Sequence, residues 1–287
     1  MVRKQIDQIP SLPPRPVDGH KGTFGRVLLV AGSWGMTGAA ILSGRGALRG
    51  GAGLVYVATP HSCLPVVAAG EPCYLTVSLP EERGGELSEQ AAPLVMQKLQ
   101  LMQAAGIGPG LGRSVVGDEM VLDVFVHAPV SCVIDADALN ALADHPDRLG
   151  QQQAPRILTP HPGEFSRLSG RTMQQISADR VGVAIEFARQ HNVVVVLKGA
   201  GTVVTDGTRY YVNTTGNSGM ATGGSGDVLT GLLTAILAQG LPPFEAAQLA
   251  TYLHGLAGDC AARELTQPGL IASDLPDYLP RAWAAVQ

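Results

Sequence analysis

Along the first two-thirds of the chain, short continuous apolar runs alternate with segments whose apolar side chains recur every three or four positions, and glycine-rich turns stand between them. A run such as Val27-Leu28-Leu29-Val30 has no polar face, the pattern of a strand covered on both sides in a parallel sheet. Such runs predict strands at 26–31, 54–58, 74–78, 104–107, 130–134, 157–159 and 193–197, then a hairpin of 203–204 and 210–212 about Asp206-Gly207. The periodic segments predict helices at 37–48, 61–69, 89–102, 114–126, 138–143 and 179–191, with a polar loop at 81–88. The last third reads as helices at 225–238, 244–264 and 273–286. Strand and helix in alternation make an α/β fold, a mostly parallel sheet with helices on both faces.

In such a sheet, ligands bind outside the carboxyl ends of the strands. The pattern places segments 32–37, 108–112, 135–137, 161–164 and 198–202 there, converging on one crevice. Close behind comes Asn217-Ser218-Gly219-Met220-Ala221-Thr222-Gly223-Gly224-Ser225-Gly226-Asp227, which runs into the apolar stretch 228–241. A loop bare of side chains at the head of a helix leaves backbone N–H groups unpaired, and these attract an anion together with the helix dipole. Asp227 then has two readings. It caps the helix, or beside a bound phosphate it takes a proton from a hydroxyl reacting at the phosphoryl group. It is the first candidate for chemistry.

Three further motifs lie at predicted strand ends. Lys198-Gly199-Ala200-Gly201-Thr202 sets a lysine before small residues against which a nucleotide can lie; the alternative is a strand terminus with a solvated lysine. Asp135-Ala136-Asp137 can hold magnesium through water, although at least one of its carboxylates is expected to cap the following helix. His161, before Pro162 and Glu164, has no second histidine at zinc-site spacing and is either structural or part of the crevice. No Gly-Lys pair exists, so the chain has no P-loop, and no G-x-G-x-x-G joins the first strand to its helix. A nucleophile elbow and the H-E-x-x-H pattern are also missing.

At 287 residues and 45% hydrophobic content, the chain is expected to form one domain, 1–287. Pro10, Pro13, Pro14 and Pro16 make residues 1–18 an extended arm, laid over the domain or reaching toward a neighbouring subunit. The net charge of −4 comes from 20 basic and 24 acidic residues without blocks, which argues against nucleic acid or an anionic membrane as a partner. Cys63, Cys73, Cys132 and Cys260 lack C-x-x-C spacing and read as small hydrophobes in a reducing compartment. Without a long apolar stretch or signal peptide, the expected location is the cytoplasm.

In order along nearly the whole chain, these motifs resemble the ADP-dependent NAD(P)H-hydrate dehydratases. The resemblance rests on Leu12-Pro13-Pro14-Arg15-Pro16 with His20-Lys21-Gly22, Ala31-Gly32-Ser33 with Thr37-Gly38-Ala39, and Gly108-Pro109-Gly110-Leu111-Gly112. It continues through Asp135-Ala136-Asp137-Ala138-Leu139-Asn140, Thr159-Pro160-His161-Pro162-Gly163-Glu164-Phe165 and the 198–202 motif. The 216–231 stretch, His254-Gly255-Leu256-Ala257-Gly258-Asp259 and Ala272-Ser273-Asp274-Leu275 complete it. Ser218 stands where the family often has proline.

The resemblance implies a ribokinase-like three-layer α/β/α fold with a mostly parallel central sheet. It also implies a lyase that dehydrates the S-form of hydrated NADH or NADPH, coupled to hydrolysis of ADP to AMP and phosphate with Mg2+. Asp227 would be the base; Ala39, Gly110, His161 and Asp227 would line the hydrate's site. Gly226 and its neighbours would hold the transferred phosphate, and Lys198, Gly199, Ala200, Gly201 and Thr202 the AMP portion, while no residue is assigned to the metal. A homotetramer is expected, acting alongside a separate NAD(P)H-hydrate epimerase, because the short arm leaves no room for the epimerase domain many relatives carry. Two alternatives remain at this point: a kinase of a small vitamin precursor, which would leave a stable phosphorylated product, and a nucleotide-binding regulator without turnover.

Overall fold

The computed structural model describes residues 4–82 and 84–286. Residues 1–3 of the expected arm, residue 83 of the expected polar loop, and residue 287 lie outside the described residues. The strands are β1 (Lys4–Gln5), β2 (Arg26–Val30), β3 (Leu54–Pro60), β4 (Leu75–Leu79), β5 (Ala104–Ile107), β6 (Ser131–Ile134), β7 (Arg156–Leu158), β8 (Val194–Leu197), β9 (Val203–Thr205) and β10 (Arg209–Val212). The helices are α1 (Thr37–Arg49), α2 (Leu64–Gly70), α3 (Ala91–Leu99), α4 (Val115–His127), α5 (Asp137–Asp144) and α6 (Pro162–Ser169). They continue with α7 (Met173–Ala178), α8 (Arg180–His191), α9 (Ser225–Ala238), α10 (Pro243–Leu265) and α11 (Leu275–Ala284).

One sheet runs in the order β1-β10-β9-β8-β7-β6-β5-β2-β3-β4. Its pairs are parallel except β8 with β9 and β9 with β10. Successive side chains of each strand enter opposite layers, as strand geometry dictates. Leu28 and Val30 join a core under α3 to α8, while Val27 and Leu29 join a second core under α1, α2, α9, α10 and α11. That is why these strands carry no polar face. The three-layer α/β/α arrangement and mostly parallel sheet expected from the sequence are both present.

The chain leaves β2 for β3 and β4 on one side, then returns to place β5 on the other. The loops following β2 and β5 diverge at this switch point, where open α/β sheets bind ligands. Helix α9 packs along α1 so closely that a Cβ on Gly231 would lie 1.9 Å from the Ser43 carbonyl oxygen. That contact fixes the head of α9 beside the switch point.

Several local expectations are corrected. Helices α6 and α7 were not foreseen: they bury Phe165 and Leu168, and Ile176, respectively, too few apolar positions to set a period. The segment at 61–69 begins with a 3-10 turn, His61–Cys63, before α2; the closing helix likewise follows a 3-10 turn, Ala272–Asp274. The 89–102 helix is confined to α3. The arm lies on its own domain: β1 pairs with β10, the Gln248 side chain donates to the Gln8 carbonyl at 3.0 Å, and the Arg15 guanidinium sits 4.0 Å above the Phe24 ring. Cys73 is exposed, unlike buried Cys63 and Cys132. No helix among the described residues is long and apolar enough to cross a membrane.

Candidate active site

The head of α9 is built by its loop. Gly224 is the helix N-cap and adopts φ 99°, a left-handed conformation natural to glycine. A Cβ there would also meet the Leu42 side chain at 2.5 Å. The Gly223, Gly224 and Gly226 amides have no hydrogen-bond partner among the described residues. Buried His254 of α10 holds this turn through Nε2, 2.9 Å from the Ser225 carbonyl oxygen, and the Ser225 hydroxyl donates to the Met220 carbonyl at 2.8 Å. Because a carbonyl only accepts, Nε2 carries the proton. Burial pushes the imidazole down to about 4, so it remains neutral. The preceding loop is tied to α10 as well: Asp259 accepts from the Gly216 amide and the Asn217 side chain, each at 2.9 Å. The 254–259 motif thus supports the glycine loop from behind.

Asp227 sits in the first turn of α9, but no side chain caps this helix. Its carboxylate takes no hydrogen bond among the described residues. Burial, reinforced by the Asp135 and Asp137 charges and opposed by Lys198, pushes Asp227 up to about 7. A carboxyl poised there exchanges a proton readily near neutral pH.

Lys198 is not the solvated lysine of the second reading of this strand end, because its ammonium is paired. Its ammonium donates to Asp135 Oδ1 at 2.7 Å and lies 3.9 Å from Glu164 Oε2. Burial works against this charge, but Asp135 and Glu164 outweigh it and hold the lysine above its ordinary value. Burial in turn pushes Glu164 up against the pull of Lys198. The ammonium reaches the helix head as well, since a Cβ on Gly226 would lie 3.3 Å from Nζ and 3.7 Å from Asp135 Oδ2.

The expectation that an aspartate of the 135–137 motif caps the next helix is corrected. Ala136 occupies the N-cap of α5 and no side chain caps it. Asp135 instead receives Lys198 on one oxygen and the Thr230 hydroxyl, at 2.7 Å, on the other. Asp137 Oδ2 accepts from the Gly112 amide at 2.8 Å, which ties the loop after β5 to the crevice. Among the described residues, no group of three or more His, Cys, Asp or Glu is placed to hold a metal ion.

His161 proves to be the N-cap of α6. Its Nδ1 accepts from the Gly163 and Glu164 amides at 3.0 and 3.2 Å, while Glu164 Oε2 accepts from the His161 amide at 2.7 Å. The proton therefore sits on Nε2, which lies 3.5 Å from Glu164 Oε1, and the ring is half exposed. Ala39 and Gly110 come together across the switch point: a Cβ on Gly110 would lie 2.8 Å from that of Ala39. The Gly199-Ala200-Gly201 turn is exposed, and Thr202 closes it, its hydroxyl donating to the Gly199 carbonyl at 2.8 Å.

Three contributors escaped sequence reading: Thr230, His254 as a prop for the helix head, and Arg180. Arg180 had left a trace, because a cation in the first turn of a helix opposes the helix dipole and needs another reason to be there.

An amide-lined turn at the head of a late helix, beside a switch-point crevice, belongs to ribokinase-like proteins, and the fold places the chain in that class. Within it, the chain belongs to the NAD(P)H-hydrate dehydratase family, whose defining pattern matches residues 27–281. It is 46% identical over 271 residues to the bifunctional NAD(P)H-hydrate repair enzyme of Moorella thermoacetica, covering 94% of this chain and 51% of that one. The chain thus spans about half the length of such bifunctional relatives. It is 37% identical to the ADP-dependent (S)-NAD(P)H-hydrate dehydratase of Bacillus subtilis, covering 95% of this chain and 94% of that one. A crystal structure of the ADP/ATP-dependent NAD(P)H-hydrate dehydratase of Bacillus subtilis, co-crystallized with ATP and Mg2+, superposes with a TM-score of 0.81 at 33% identity, covering 96% of this chain and 95% of that one.

Proposed function

We propose that this protein is an ADP-dependent dehydratase of hydrated NADH and NADPH, acting on the S-form. The observation that carries this reading is a carboxylate without a hydrogen bond, Asp227, held beside unpartnered amides at the head of α9. Hydroxide is a poor leaving group, and a hydroxyl on the reduced nicotinamide ring departs only after activation. Asp227 accepts the hydroxyl proton as that oxygen bonds to the terminal phosphorus of ADP and the bond to AMP breaks. The amides of Gly223, Gly224 and Gly226 hold the transferred phosphoryl group. The ring nitrogen pair then expels phosphate, and a proton lost from the neighbouring ring carbon restores the double bond.

Ala39, Gly110 and the exposed ring of His161 line the hydrate's position, and the 198–202 turn takes the AMP portion. Magnesium, when bound, offsets charge on the ADP phosphates. The donor set fits an ion carried by those phosphates and by water, because Asp135 is already engaged on both oxygens. Lys198 keeps Asp135 and Glu164 neutralised at the back of the site and draws part of the field from Asp227.

The same reading makes the chain one ribokinase-like domain over 1–287, a cytoplasmic homotetramer working beside an epimerase that interconverts the hydrate's two forms. Family membership and an ADP-dependent relative similar over 94% of its length favour dehydration over kinase chemistry on a vitamin precursor. Incubating the protein with hydrated NADH, Mg2+ and ADP should restore the reduced-nicotinamide absorbance, with one phosphate released per coenzyme recovered. A stable phosphorylated product would support the kinase instead, and nucleotide binding without phosphate release would support a regulator.

A further inference from the structure

Arg180 opens α8, and its side chain leaves that helix to grip the turn after β8. One terminal nitrogen, Nη1, donates to the Ala200 carbonyl at 2.7 Å; the other, Nη2, donates to the Leu197 and Lys198 carbonyls, each at 3.0 Å. The guanidinium lies against Gly199, where a Cβ would sit 3.0 Å from Nη2. Gly199 has φ 138° and Gly201 φ 64°, so the turn contains two residues with wide conformational freedom and no packed side chain of its own to restrict them. Among the described residues, the Gly199-Ala200-Gly201 turn is held by the Thr202 hydroxyl and this guanidinium. Burial lowers the proton affinity of Arg180, and its Nε is sealed in without a hydrogen-bond partner among the described residues, so the side chain sits there at a cost that its grip on the turn offsets.

The consequence is directional. With the carbonyls of residues 197, 198 and 200 drawn onto one cation, the Ala200 and Gly201 amides are left without partners among the described residues, on an exposed stretch at the crevice. A turn whose carbonyls are gathered to one side presents its N–H groups to a ligand on the other. We propose that Arg180 is the positioning residue of the nucleotide site: it does not touch the nucleotide, but it holds the 198–201 backbone in the form that receives the AMP portion. This rests on the assignment of that turn to ADP made above. Arginine is required because its planar fork reaches three carbonyls at once, whereas lysine offers a single point of charge.

The test is calorimetric titration of ADP with Mg2+ into the parent, R180K and R180M, alongside hydrate turnover and melting temperature. Both variants should bind ADP roughly 10- to 100-fold more weakly, the loss expected for hydrogen bonds from a charged donor. Their KM for ADP should rise in parallel, kcat at saturating ADP should remain within about threefold of the parent, and guanidinium ion should restore part of the affinity of R180M. Folded variants that bind ADP as tightly as the parent would overturn the role of Arg180, as would a kcat that falls while KM holds. A parent that gives no ADP binding, or whose 198–202 amide resonances do not move on ADP addition, would overturn the nucleotide assignment itself, and with it this inference.

Discussion

Asp227→Asn should repair hydrated NADH about 10²- to 10⁴-fold more slowly than the parent while still binding ADP, the usual loss on removing a positioned base. Asparagine keeps the shape of the side chain, so the Gly223 to Gly226 amides keep their place and the loss should appear in kcat. The parent itself should show the same group in its pH profile. A base must be ionised to accept a proton, and Asp227 is pushed up to about 7, so kcat/KM should fall tenfold per unit below that pH and level off above it.

Stability moves in the opposite direction. With its folded value raised from about 3.9 in the unfolded chain, the carboxyl favours the folded state fully only below the unfolded value. That contribution is lost as pH rises toward 7, so the penalty for holding a charge in the site is complete above it. Asp227→Asn removes the penalty, and at pH 8 the variant should be more stable than the parent by up to about 4 kcal/mol, with no difference near pH 3. Parallel melts at the two pH values read this directly. Unchanged turnover would remove Asp227 from the chemistry, and equal stability at both pH values would mean that the site imposes no strain on it.

The largest structural effect is expected far from the crevice. Arg156, fully buried at the start of β7, donates to the Phe125, Val124 and Ala128 carbonyls at the end of α4, and to those of Val130, Ala154 and Pro155. Helix ends leave carbonyls without intrahelical partners, and here one guanidinium serves that of Phe125 and adds a second donor to that of Val124, together with the turns that lead into β6 and β7, while the Val126 carbonyl takes the Gln153 amide. Burial lowers the proton affinity of the guanidinium, which holds no carboxylate partner in these bonds. Arg156→Met fills the volume but leaves carbonyls such as those of Phe125, Ala128 and Ala154 without their donor, whereas Val124 and Pro155 keep the Ala128 and Cys132 amides; it should cost on the order of 3–5 kcal/mol, roughly 5–8 °C in melting temperature. Arg156→Lys should recover only part of it, because one ammonium cannot span six acceptors. A methionine variant within about 1 kcal/mol of the parent in urea titrations would show that water replaces the guanidinium at little cost.

Arg156 also marks where sequence reading stops. Runs such as Val27 to Val30 were legible because both faces of the sheet are covered, and their positions in turn placed the crevice loops. The head of α9 was legible for a related reason: glycine is dense there, and an apolar helix follows. Partnerships across the chain were not. Lys198 and Asp135 are 63 positions apart, and nothing local in either motif says that each neutralises the other. His161 read as either structural or part of the crevice, and nothing local showed that its Nδ1 is spent on the head of a helix too short and polar to show a period. Arg156 sits within an otherwise ordinary strand start, where a lone arginine suggests an exposed end; only the packed fold brings six carbonyls to it.

The most direct measurement is a crystal structure of the protein with Mg2+ and a non-hydrolysable analogue of ADP. The terminal phosphoryl group should lie within about 3 Å of the Gly224 and Gly226 amides, with the Asp227 carboxylate facing the phosphorus from the side where the hydrate enters and the AMP portion against the turn of residues 198–202. Phosphates seated elsewhere, with the head of α9 empty and Asp227 remote from them, would contradict the assignment of this site and the chemistry built on it.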